Sequence, residues 1–188
     1  MLNKILIPAL AVVSLAGCVS QGTYNQEVQQ ANTYAAQSQT YQALNAQLQK
    51  EIQADQVRIK ELQGQLTVTL IDEILFASGS AEMHASGRAT LEKIVGALQQ
   101  ATGKRINVRG YTDNEPIGPG LRARYPSNWE LSTARSSDVV RFLQAKGIDP
   151  QRLEASGFAE YRPVAPNTTP AGRKENRRIE IVLTDMKF

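Results

Sequence analysis

A change of pattern near residue 66 sets the strongest limit on how this chain can fold. From Gln21 to Leu66 there are 13 Gln and no Pro, and apolar or aromatic residues recur at Tyr34, Tyr41, Leu44, Leu48, Ile52, Ile59, Leu62 and Leu66. Steps of mostly three, four or seven place them along one side of a helix, in near-heptad spacing. The Leu48–Ile52 step breaks strict register like a stutter, and Asp55 fills one seam position. The spacing predicts a helical stalk over 23–66, on the order of 65 Å long at 1.5 Å per residue. Such a helix suits a homo-oligomeric coiled coil, a protein partner, or a single helix lying on the domain that follows.

Beyond Leu66 the period shortens. The 67–188 region is about 120 residues, enough for one hydrophobic core. Alternation in Leu66–Ile71 reads as a strand. The apolar positions Leu91, Ile94, Val95 and Leu98 lie on one face of a helix over 85–101. Residues 105–111 read as a second strand, and a loop rich in Pro and Gly runs from Asn114 to Ser127. Ser127 or Asn128 can cap a helix over 129–146, closed by Gly147. Residues 153–158 and 177–183 read as further strands, with a short helix or turn over 172–176. The order is β-α-β-α-β-(α)-β, an α+β sandwich with helices on one face of a sheet.

The N-terminus has a different character. A lone Lys4 precedes an apolar run from Ile5 to Ala16 and then Gly17-Cys18. That is a secretory signal over 1–17, too short to span a bilayer. Leu15-Ala16-Gly17-Cys18 resembles the bacterial lipobox, in which Cys is lipidated and begins the mature chain. Residues 18–22 would then be a lipidated N-terminus and linker, with acyl chains anchoring the protein. Val19 after the Cys favours the outer membrane, facing the periplasm. Cys18 is the one Cys in the chain, so no intramolecular disulfide forms. His84 is the one His, so no site with two His ligands can form within one chain. No metal or cofactor is expected. From Thr67 on, 17 Lys and Arg face 14 Asp and Glu, which is no field for nucleic acid.

Three stretches then line up: Gly110-Tyr111-Thr112-Asp113-Asn114, Asn128-Trp129-Glu130-Leu131-Ser132-Thr133-Ala134-Arg135, and Gly157-Phe158-Ala159-Glu160 through Gly172-Arg173-Lys174-Glu175-Asn176-Arg177-Arg178. Together they resemble the OmpA C-terminal-like domain shared by peptidoglycan-associated lipoproteins and the flagellar stator protein MotB. The resemblance covers about 67–188, and Tyr125-Pro126-Ser127-Asn128-Trp129 looks most like the MotB branch. Two departures stand out. MotB carries a transmembrane helix where this chain has a lipobox, and Ser136 stands where the family usually has Ala.

The resemblance implies noncovalent binding of peptidoglycan through the diaminopimelate of its stem peptide. By match to the motifs, Asp113 would meet the ammonium and Arg135 the carboxylate. Asn128 and Arg177 would be supporting polar contacts, with Thr112 contributing backbone. A guanidinium suits a carboxylate bidentately, and a carboxylate suits an ammonium. Loss of either charge is expected to leave the other unpaired. Trp129 suits packing or a rim contact. The implied role is a tether from outer membrane to cell wall. The alternative is a wall-anchoring accessory subunit of a motor or secretion assembly that meets its partner through the stalk. A glycosidase would need two carboxylates across one cleft. Asp113, Glu115 and Glu130 are the nearby acids, with no further acid–base pattern, so no enzyme activity is expected.

Overall fold

The computed structural model describes residues 21–62, 64–77 and 79–186. The expected signal peptide and Cys18 lie outside the described residues. Contacts divide the chain between Thr33 and Tyr34 into two units. The described residues of the first unit are helical and exposed.

The second unit begins within helix α1 (Gln21–Gln47), and a short helix α2 (Gln49–Gln53) follows. Leu44 and Leu48 are fully buried in the domain core. The helix expected over 23–66 therefore ends early. Asp55 adopts a left-handed backbone (φ 53°) and closes the turn after α2. Residues 57–62 form strand β1 (Val57–Leu62), paired antiparallel with β2 (Gln65–Ile71). Leu62 pairs with Gln65, and Gly64 just before it supplies φ 76°. Val57 and Ile59 fit a period of two, while Ile59, Leu62 and Leu66 also fit a helical period. Burial of Val57 against the core decides for the strand.

Helices α3 (Asp72–Leu75) and α4 (Ala85–Gln100) lead to β3 (Lys104–Tyr111). Helix α5 (Pro119–Arg122) sits in the Pro/Gly loop, and α6 (Asn128–Ala145) leads to β4 (Leu153–Gly157). Helix α7 (Pro170–Asn176) precedes β5 (Arg178–Asp185). The sheet order is β1-β2-β5-β3-β4, antiparallel except for β3–β4. That parallel pair is joined through α6, as a parallel connection requires. The α+β class and the expected strands and helices of the domain are therefore observed, with β1 added at the sheet edge.

Leu66, Val68 and Leu70 of β2 pair in register with Leu183, Ile181 and Ile179 of β5. These, with Ile106 and Val108, meet Leu91, Ile94 and Leu98 of α4 and Val139 and Leu143 of α6 in one core. His84 caps α4, its Nδ1 accepting from the Gly87 backbone N–H at 3.0 Å.

Gly110 and Gly157 are register partners on β3 and β4, beneath the start of α6. A Cβ on Gly110 would lie 2.2 Å from the Ser132 carbonyl oxygen, and one on Gly157 would lie 2.2 Å from Thr133 Oγ1. The helix backbone thus rests on strand backbone. Gly110→Ala and Gly157→Ala should each lower unfolding free energy by about 1–3 kcal/mol, because the helix must lift. Gly96, in α4 with open space around it, should instead gain roughly 0.5–1 kcal/mol on change to Ala. Denaturant midpoints of the three variants check both signs.

Candidate ligand-binding cleft

Three chain segments meet at one end of the sheet. The backbone N–H of Asp72, just past β2, donates to the Arg177 carbonyl at 2.9 Å, just before β5. Thr112 and Asp113 follow β3, where the Thr112 N–H donates to the Ala159 carbonyl at 2.9 Å. Helix α6 begins there in a capping box between Ser127 and Glu130. An open cleft of about 510 Å³ lies between these segments, and Thr112, Asp113, Asn128, Arg135 and Arg177 all line it.

Arg135 is 3% exposed. Its Nη2 pairs with Asp72 Oδ2 at 2.9 Å and its Nε donates to the Ser80 carbonyl at 2.9 Å. The guanidinium also lies 5.3 Å from the Phe76 ring centroid. Two sides of the fork are held by protein, and Nη1 takes part in neither contact. Burial draws the Arg135 guanidinium below its usual value, against the opposing charge of Asp72. Burial also pushes the Asp72 carboxyl up to about 6, and the Arg135 and Arg177 charges offset only some of that. Asp72 Oδ1 is buried with no hydrogen-bond partner.

Asp113 is buried as well. Its Oδ2 accepts from Arg177 Nη1 at 2.6 Å and its Oδ1 from the Glu115 N–H at 3.1 Å. Arg177 Nη2 donates to Glu73 Oε1 at 2.9 Å. Against a desolvation cost, its bonds to Asp113 and Glu73 hold Arg177 above its usual value. Partial burial acts to raise the Glu73 carboxyl, but Arg177 and Lys174 outweigh it and hold the group below the carboxylate range. Asn128 Nδ2 donates to the carbonyls of Asp113 at 3.3 Å and Glu115 at 3.2 Å, and so ties the helix start to the strand end. Thr112 Oγ1 donates to the Asp113 carbonyl at 2.9 Å.

All five expected residues thus come together, but the pairing differs from expectation. Asp113 and Arg135 each have their own protein counter-charge. Loss of Asp113 would leave Arg177 with Glu73 alone, and loss of Arg135 would remove the salt-bridge partner of Asp72. Sequence reading missed Asp72, Glu73 and Asn176. The acidic pair directly after a clear strand was the available signal for the first two. Asn176 Oδ1 accepts from the N–H groups of Val164 and Ala165, and its Nδ2 donates to the Ala165 carbonyl and to Asn167 Oδ1. Fully buried, it fixes the backbone next to Arg177. The Pro/Gly loop is anchored at the cleft wall, where Ile117 and Tyr125 are buried with Ala81 and Leu131. Glu130 is committed to the helix cap, and Glu115 pairs with Arg173 at 3.3 Å.

The OmpA family model matches residues 75–177. The chain belongs to the OmpA family. It is 30% identical to Motility protein B of Bacillus subtilis over 79% of this chain and 58% of that protein. It spans about three fifths of the length of the curated relatives it matches. The crystal structure of a putative MotB like protein from Desulfovibrio vulgaris superposes with a TM-score of 0.75 at 30% identity, covering 85% of this chain and 99% of that one. The cell wall anchor of the T6SS from Pseudomonas aeruginosa gives 0.69 at 36% identity, over 76% and 97%. No helix among the described residues is long and apolar enough to cross a membrane.

The raised Asp72 carboxyl has a stability consequence. Between the unfolded value near 3.8 and the folded value of about 6, the native state holds more protons than the unfolded chain. Stability from this group therefore rises as pH falls through that window, and the gain is absent above it. Relative to Asp72→Asn, the wild type should gain on the order of 2–3 kcal/mol between pH 7 and pH 4. Parallel denaturant titrations across that range measure the difference.

Proposed function

We propose that the cleft binds the diaminopimelate end of the peptidoglycan stem peptide. With acyl chains on Cys18, the protein then tethers the outer membrane to the cell wall from the periplasmic side. The observation that carries this reading is a pair of buried opposite charges, Asp113 and Arg135, on separate elements lining one open cleft. A zwitterionic amino-acid terminus needs that arrangement, an acceptor for its ammonium and a fork for its carboxylate. Arg135 is held through Nη2 and Nε, which leaves Nη1 of the fork outside both protein contacts. Binding breaks no bond, so the reading requires no nucleophile, metal or cofactor.

A second reading keeps the cleft and adds a partner. The likeness to a T6SS cell wall anchor and to a MotB like protein supports a wall-gripping subunit of a larger assembly, with its partner held through the N-terminal helix.

The full chain in detergent should co-sediment with diaminopimelate-type sacculi. Asp113→Ala and Arg135→Ala should weaken binding at least tenfold, about one charged contact of 1.5–3 kcal/mol each. Far-UV circular dichroism confirms that both variants fold. Wild-type protein remaining in the supernatant rejects the wall-binding reading, and loss of a partner after disruption of residues 21–47 supports the second.

A further inference from the structure

The chain's single Trp is exposed. Trp129 is 47% exposed at the start of α6 and stacks on Tyr161, which is 65% exposed, with ring centroids 5.4 Å apart. Neither ring belongs to a buried core cluster. Large aromatic faces left in water on a small domain mark a contact surface.

The backbone that carries the pair is anchored. Arg178 lies 3.8 Å over the Tyr111 ring, Tyr111 stacks on Phe158 at 5.1 Å, and Arg162 lies 4.3 Å over Phe158. This column fixes the chain three residues before Tyr161 against the sheet. The same segment is tied to α6, because Ser132 Oγ accepts from the Ala159 N–H at 3.1 Å. Trp129 and Tyr161 are thus presented from backbone that holds its place without a ligand, and their side chains contact each other.

We propose that Trp129 and Tyr161 form a platform for a pyranose ring of the wall's N-acetylhexosamine chain, the polymer whose peptide fills the cleft. The inference rests on the proposed function for its polymer. One face of a pyranose is a patch of C–H groups, which packs on an aromatic face, while its hydroxyls and acetamido group point sideways. The platform meets both demands. Trp129, backed by Tyr161, lines a shallow surface together with Thr133, Ser137, Arg124 and Arg141, polar side chains suited to ring substituents. A shallow open surface suits a chain lying across it better than a small enclosed guest. It lies beside the cleft on the same helix start, with Trp129 next in the chain to the cleft residue Asn128, and the two surfaces share no lining residue.

Because Trp129 is the only Trp, fluorescence of the full chain excited at the red edge, where Tyr does not absorb, reports on the platform. Titration with tetra-N-acetylchitotetraose should give a saturable quench or blue shift, with maltotetraose giving none. Tyr161→Ala should weaken that response at least fivefold. On sacculi, Trp129→Ala and Tyr161→Ala should each reduce affinity about three- to tenfold, while binding of free diaminopimelate tripeptide, followed by calorimetry, stays at the wild-type value. No fluorescence change with chitotetraose at millimolar concentration, together with wild-type sacculus affinity in both variants, overturns the platform. Tripeptide failing to bind the wild type, with the chitotetraose response intact, removes the cleft reading and leaves the sugar platform standing.

Discussion

The contact on which the cleft depends is the close approach of α6 to β3 and β4 at Gly110 and Gly157. A helix normally rides on side chains at about eight to ten ångströms from its neighbour's axis. Here its second turn sits on bare strand backbone. That brings the start of α6 within hydrogen-bonding distance of the residues past β3, so Asn128 can reach two carbonyls beyond the strand end. It also sets where Arg135, two turns on, enters the cleft wall. Ser132 lies at the same contact and is completely buried, with its hydroxyl accepting from the segment after β4. One small-residue contact thereby sets helix, strand end and following loop together.

Around that contact the charges are already arranged before any guest arrives. Asp72 holds Arg135, and Arg177 bridges Asp113 and Glu73. A buried charge without a partner is costly. Pairing outweighs burial for Arg177 and Glu73, and it offsets only part of the cost for Asp72 and Arg135. They also orient the planar forks, since each guanidinium is fixed by at least two acceptors. A zwitterionic guest of the kind proposed would meet groups whose rotamers are set, with little side-chain entropy left to lose on binding. Asp72 is the exception in this network, with one oxygen buried and unbonded.

Much of this was legible in the sequence where local pattern and tertiary outcome agree. Alternation in Leu66–Ile71 and the apolar stripe from Leu91 to Leu98 became strand and helix because the burying face was already written in the period. The Asp113 and Arg135 positions were legible through ordered motifs, not through periodicity. The stalk prediction failed where two periods overlap: Ile59, Leu62 and Leu66 fit a helix as well as strands, and burial of Val57 with the β1–β2 pairing separates the two. The edge strand carries Arg58, Lys60 and Glu61 on alternating and adjacent positions, which softened its strand signal. Asp72, Glu73 and Asn176 were missed for a different reason. Their roles come from partners about 60 residues or more away, or from loop backbone whose path no local pattern specifies.

The register of the β1–β2 hairpin bears on how the domain answers tension. Val57 at the start of β1 pairs with Leu70, and the Ile71 N–H donates to the Gln56 carbonyl. The chain arriving from α2 thus joins the sheet two residues from Asp72, at the end where the cleft opens. Leu44 and Leu48, fully buried in the core ahead of β1, stand first in the path of any pull that enters through α2. Beyond them β1 is an edge strand held by β2 alone, while β3, which carries the chain to Asp113, is held by β4 and β5 on both sides. Tension entering there would meet the margin of the sheet before the helix–strand unit that sets Asp113 and Arg135.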